Sequence, residues 1–171
     1  MALIFLMALL FIYLVMAAQF ESWLDPLIIL ISVPMAGFGA LGALYLAGGS
    51  LNIYSQIGLV TLVGLITKHG ILIVEFANQI QAEGESKLTA IIRSATLRLR
   101  PILMTTGAMV LGSIPLALAT GAGAESRQAI GWVIVGGMSI GTLLTLIVVP
   151  VVYLLLSGLN WRFWKKASKA E

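Results

Sequence analysis

Five side chains in this 171-residue sequence are of types that hold or pass a proton in an apolar setting: Lys68, His69, Glu75, Arg98 and Thr105. Lys68 is a lone ammonium near the middle of a long apolar stretch. A Lys at the centre of a membrane helix costs about 2.5–3.5 kcal/mol on insertion scales, so it normally faces a partner or a water-filled path and reads as functional by default. Glu75 lies two helical turns further on and on the same face, about 10 Å along the axis and too far for an ideal contact. Its carboxylate can snorkel toward an interface or pair with an Arg of the segment that follows. Glu21, Asp25, Glu83, Glu85 and Glu125 all fall in connections between apolar stretches. Lys68 therefore either stays neutral or meets an acid on a helix outside this sequence, and the second reading is favoured.

His69 is the single histidine, next to Lys68 but about 100° round the helix. Its imidazole suits a proton path, yet a lone His inside a helix bundle is more often a hydrogen-bonded packing residue, so with Glu75 it counts as a modulator. Arg98 and Thr105 share a helical face if the helix carrying them runs on through Pro101. One supplies a fixed positive charge and the other a hydroxyl that can pass or orient a proton.

The elements that must position these groups are membrane helices. Hydrophobic residues make up 60% of the sequence and charged ones 10%, and mean hydropathy is +1.05. A soluble domain carries roughly 25% charge to keep its surface wet, which this sequence cannot do. Windows of about 20 apolar residues match the thickness of a bilayer core. Five are present, near residues 2–18, 26–47, 53–80, 101–119 and 130–156. The expected fold is an all-α membrane bundle of five transmembrane helices plus a short amphipathic helix at the cytoplasmic surface, near residues 86–99. A basic tail, residues 157–171, closes a single domain.

Local signals mark the boundaries. Asp25 before Pro26 reads as an N-cap followed by proline at the first helical position, and Pro101 after Arg100 reads as a second helix start. Gly48-Gly49-Ser50 and Gly121-Ala122-Gly123 are tight linkers. Pro34, Pro115 and Pro150 lie inside spans and predict kinks. Leu88, Ile91, Ile92, Ala95 and Leu99 recur at helical steps with Lys87, Thr89, Arg93, Thr96 and Arg100 mostly opposite, the pattern of a helix lying on the membrane; a plain solvated connector is the alternative. Small residues recur four apart at Gly137 and Gly141, at Ala108 and Gly112, and at Gly39, Ala43 and Ala47, which predicts close helix packing.

Orientation follows from the basic residues. Apart from Lys68, four lie in the third connection (Lys87, Arg93, Arg98, Arg100), four in the tail (Arg162, Lys165, Lys166, Lys169) and one, Arg127, in the fourth connection. The positive-inside rule then places the third connection and the C-terminus in the cytoplasm and the N-terminus outside, with Trp161 and Trp164 as an inner aromatic anchor. An outside N-terminus with nothing ahead of the first span suggests that something upstream is missing. A cleaved signal peptide would need a positive region before residues 2–18, and none is there. Without any Cys, disulfides and thiolate metal sites are not expected.

Three runs in order carry a family resemblance: Gln19-Phe-Glu-Ser-Trp; Gly58-Leu, then Gly64-Leu-Ile-Thr-Lys68-His-Gly-Ile-Leu-Ile-Val-Glu-Phe-Ala; and Arg98-Leu-Arg-Pro-Ile-Leu-Met-Thr105. Over essentially its whole length the sequence resembles the C-terminal membrane region, spans eight to twelve, of resistance–nodulation–division efflux permeases of the acriflavine-type multidrug branch. The resemblance implies a bacterial inner-membrane location and a second periplasmic domain ahead of the first span. It also implies a proton relay in which an acidic pair on the fourth span, outside this sequence, faces Lys68, with Arg98 and Thr105 completing the path. Metal exporters of the family typically lack the Lys, so its presence implies organic, amphiphilic substrates. His69 stands where many relatives carry Asn.

What the resemblance implies is proton/drug antiport by a secondary transporter rather than an enzyme, with the proton gradient as energy source and no cofactor or metal. Implied partners are the remainder of the permease, a homotrimer, a periplasmic adaptor, an outer-membrane channel and the lipid bilayer, with no nucleic acid. By itself the sequence is expected to be a truncated or split fragment, inactive alone. The alternative is a small membrane scaffold or accessory subunit whose charges only orient and pack it. An intramembrane enzyme lacks support, because no Cys, metal-ligand cluster or plausible Ser/His pairing is present.

Overall fold

A computed structural model describes the backbone of residues 2–167 and the side chains of residues 3–156. The side chains of the basic tail and of Trp161 and Trp164 lie outside the described residues. Six α-helices follow in order: α1 (Ala2–Phe20), α2 (Leu24–Leu30), α3 (Ser32–Leu46), α4 (Ile53–Ala82), α5 (Lys87–Ala117) and α6 (Ala124–Ala167). Five of the resulting segments are long and apolar enough to cross a membrane, with α2 and α3 together forming the second.

The break inside the second span has a local cause. Pro34 has no N–H to offer the Leu30 carbonyl, and Ser32 Oγ donates to the Ile29 carbonyl at 2.6 Å. The start of this span also differs from expectation. Asp25 is not its N-cap, because the helix already begins at Leu24 and the Ser22 hydroxyl accepts from the Leu24 and Asp25 N–H groups. Asp25 sits in the first turn, and its carboxylate is left to reach another helix.

α4 begins on a capping box in which the Asn52 side chain accepts from the Ser55 N–H and Ser55 Oγ accepts from the Asn52 N–H, both at 2.9 Å. α5 begins at the Ser86 cap and continues through Pro101 without a break, so the amphipathic segment and the fourth span are one helix. Pro101 costs that helix only the hydrogen bond to the Leu97 carbonyl, and burial of Ile91 and Ile102 holds the two halves on one packing face.

α6 is the central helix, packed against α3, α4 and α5, while α1 lies at the edge beside α2 and α4. Glycines permit the close approach. A Cβ at Gly137 would collide with the Leu62 side chain, one at Gly141 would come within 2.7 Å of Ala36 Cβ, and one at Gly39 within 2.7 Å of Ile140 Cβ. Two of the three small-residue stripes therefore pack. The third, Ala108 and Gly112, is exposed, with nothing near Gly112.

Candidate functional site

α4 has two chemically distinct faces. Leu62, Val63, Ile66, His69, Gly70, Ile73 and Ala77 are buried against the bundle, whereas Ile57, Thr61, Gly64, Lys68, Glu75 and Gln79 are exposed at three-, four- and seven-residue steps along one stripe. The rotation of α4 is set by contacts on its buried side. Ile29 of α2 sits where a Gly70 Cβ would be, 2.7 Å from its Cγ2, so only glycine admits it there. Ser94 Oγ of α5 donates to the Ile73 carbonyl at 2.6 Å.

Lys68 thus points out of the bundle formed by these helices, and among the described residues its ammonium has neither a hydrogen bond nor an ion pair. Glu75 shares the exposed stripe. It does not pair with an Arg of α5; the ion pair of that region joins Arg93 to Glu85. Arg98 lies with its guanidinium carbon 4.5 Å from the centre of the Phe76 ring, and its Nε is buried without a hydrogen-bond partner. Arg98 is half-buried, and a guanidinium over a ring face is worth about 0.5–2 kcal/mol, which offsets part of that loss. Arg side chains in a helix lean toward its N-terminus, so Arg98 reaches back toward the start of α5 and meets Phe76 there.

Thr105 is exposed, and its Oγ1 donates to the Pro101 and Ile102 carbonyls at 3.1 and 3.0 Å. The structure therefore joins Lys68, Arg98 and Thr105 by no direct hydrogen bond. Their sequence neighbours are joined instead. His69 Nδ1 is 3.4 Å from Thr142 Oγ1, which is 3.2 Å from Thr106 Oγ1, making a chain of polar groups across α4, α6 and α5. His69 and Thr142 are 1% exposed and Thr106 8%, so the chain runs through the apolar interior. His69 Nε2 and Thr145 Oγ1 are buried there without partners. Such groups cost about 1–3 kcal/mol each and are rare enough to mark places where stability has been given up.

A second polar group ties the start of α2 and the end of α4 to α6. Asn78 Nδ2 donates to Asp25 Oδ2 at 3.1 Å, the Tyr153 hydroxyl donates to Asn78 Oδ1 at 2.6 Å, and Gln81 Nε2 donates to that hydroxyl. α2, α4 and α6 are fastened together at this point.

Sequence reasoning missed Phe76, Thr106, Thr142 and the Asp25–Asn78–Tyr153–Gln81 network. A hydroxyl or amide in an apolar span is a weak signal by itself, because Ser and Thr often bond only to their own helix, as Thr67 and Ser139 do here. The one usable clue is the step of about 100° between Lys68 and His69, which turns the imidazole toward the bundle once Lys68 faces out.

Residues 1–157 match the family model described as the AcrB/AcrD/AcrF family. An uncharacterized transporter of Haemophilus influenzae is 58% identical over 160 residues, covering 90% of this chain and 16% of the relative. The toluene efflux pump membrane transporter TtgB of Pseudomonas putida is 43% identical over 156 residues, 91% of this chain and 15% of the relative. The antibiotic efflux pump membrane transporter ArpB of Pseudomonas putida matches to the same extent. The chain thus spans about one sixth of the length of the curated relatives it matches.

Proposed function

The chain belongs to the AcrB/AcrD/AcrF family of efflux transporters, and from that membership we propose that it supplies the basic half of a proton relay to drug/proton antiport. The observation that carries the reading is the exposure of Lys68 on an open stripe of α4 within a span, with no partner among the described residues. A charge in that position needs an acid or a wet path on the far side of the stripe. The acidic pair that meets Lys68 comes from a span outside this chain. Arg98 and Thr105 stand on the neighbouring helix α5, and the buried chain from His69 to Thr106 couples that helix to α4 through α6.

In this reading a proton that neutralises the acidic pair releases its hold on Lys68, and the helices rearrange. One elementary charge moved across 100 mV is worth about 2.3 kcal/mol, a usable bias for a two-state bundle. The third connection and the C-terminus face the cytoplasm, and the assembly sits in the bacterial inner membrane. Amphiphilic organic compounds are the substrates, and a homotrimer with a periplasmic adaptor and an outer-membrane channel is the working complex. The relatives TtgB and ArpB are named as toluene and antibiotic efflux pump transporters, which supports organic substrates.

Lys68→Ala in a complete permease carrying this segment is the test. Proton-coupled efflux is lost while membrane insertion and expression are retained; unchanged efflux would overturn the relay assignment.

A further inference from the structure

At the end of the bundle where α4 hands over to α5, a cavity of about 180 Å³ opens between α2, α4, α5 and α6. That is too small for a drug-sized molecule, whose pockets run to about 300–1,000 Å³. Its walls carry two opposite charges, Asp25 and Lys87, near enough for the ammonium to act on the carboxylate electrostatically but not joined in an ion pair. Asp25 is half-buried, with Oδ2 accepting from Asn78 and its other carboxylate oxygen without a hydrogen bond among the described residues. Lys87, the first residue of α5, is exposed and lines the same cavity, and among the described residues its ammonium has no ion pair with Asp25 or any other acid. Leu24, Ile28 and Leu156 form the apolar part of the wall.

The carboxylate is fixed in place. Asn78, Tyr153 and Gln81 form a hydrogen-bonded line from α4 to α6 that holds Asp25 by one oxygen and leaves the other available. Two unpaired charges of opposite sign across a small polar cavity match a ligand that is itself a short zwitterion. The helix ends put the cavity at a bilayer interface, where the apolar wall can continue along an acyl chain.

We propose that this cavity binds the headgroup of a phosphoethanolamine lipid, its primary ammonium donating to Asp25 and its phosphate accepting from Lys87. A trimethylammonium headgroup has no N–H to give the carboxylate, and a purely anionic one faces Asp25 with like charge. The cavity wall includes none of Lys68, Arg98 and Thr105.

Native mass spectrometry of the full chain, released from micelles holding equal amounts of phosphatidylethanolamine, phosphatidylcholine and phosphatidylglycerol, reads the preference directly. The ethanolamine lipid is retained about tenfold over the other two, the ratio expected from one charge-assisted hydrogen bond. Asp25→Asn removes its advantage over phosphatidylglycerol, and Lys87→Gln lowers its retention. Lys87 is exposed and outside the hydrogen-bonded line, so its variant keeps the fold even if Asp25→Asn does not. Equal retention of all three lipids by the unaltered chain, or retention that Lys87→Gln leaves unchanged, overturns the proposal. So does displacement of the lipid by soluble glycerophosphoethanolamine at matched concentration, which would assign the site to the free compound.

Discussion

Arg98 of α5 rests on the face of Phe76 of α4, 4.5 Å from the ring centre, with its Nε buried and unbonded. The ring therefore fixes where a half-buried positive charge sits on the helix that also carries Thr105. In the proposed relay, the ring under Arg98 is what holds that charge in place.

Phe76→Leu keeps the apolar volume but removes the π face. The loss is about 0.5–2 kcal/mol of helix–helix stability, and Phe76→Tyr restores it. Unfolding in mixed micelles measures the change, and proton-coupled efflux in a complete permease carrying Phe76→Leu falls with it. A Leu variant as stable as the unaltered chain would show that the ring does not hold Arg98.

Thr142 stands between His69 and Thr106 at 3.4 and 3.2 Å. Thr142→Val removes the hydroxyl at nearly constant volume and costs about 0.6–1.7 kcal/mol, the range found for interhelical hydrogen bonds in membranes. Thr106→Val costs less in the Thr142→Val background than in the unaltered chain, because the bond is already gone. Strict additivity of the two changes, in the same unfolding measurement, is the outcome that would break the chain.

Two glycines on neighbouring helices give opposite results when changed to Ala. At Gly137 a Cβ collides with Leu62, so the helices must part and stability falls by about 1–3 kcal/mol. At Gly112 the Cβ meets nothing, and Ala gains up to about 1 kcal/mol of helix propensity. Thermal unfolding of the two variants in one detergent separates them; a loss at Gly112 as large as that at Gly137 would contradict this packing.

Much of the fold is legible in the sequence because hydrophobicity is a property of composition, summed over a window as long as a bilayer is thick. The third span, read from residue 53 to 80, is α4 to within two residues at its far end. Punctuation by proline was read less well. Pro101 looks like a helix start but is carried inside α5, since one missing hydrogen bond is outweighed by the packing of Ile91 and Ile102 on either side of it. Asp25 before Pro26 looks like a cap, but α2 starts a residue ahead of it, the Ser22 hydroxyl accepts from the Leu24 and Asp25 N–H groups, and the carboxylate reaches Asn78 instead.

The sequence by itself determined that the chain crosses a membrane, how many spans it has, and that Lys68 and His69 lie about 100° apart on one helix. Those follow from hydropathy and from the fixed 3.6-residue turn. The tertiary structure alone decided that Lys68 is the one facing out, that Arg98 lies on Phe76, and that His69 reaches Thr142. Those depend on the rotation and register of whole helices against one another. Rotation and register are set by many small contacts between distant residues, such as Ile29 against Gly70 and Ser94 on the Ile73 carbonyl, none of which is encoded near the residues they place.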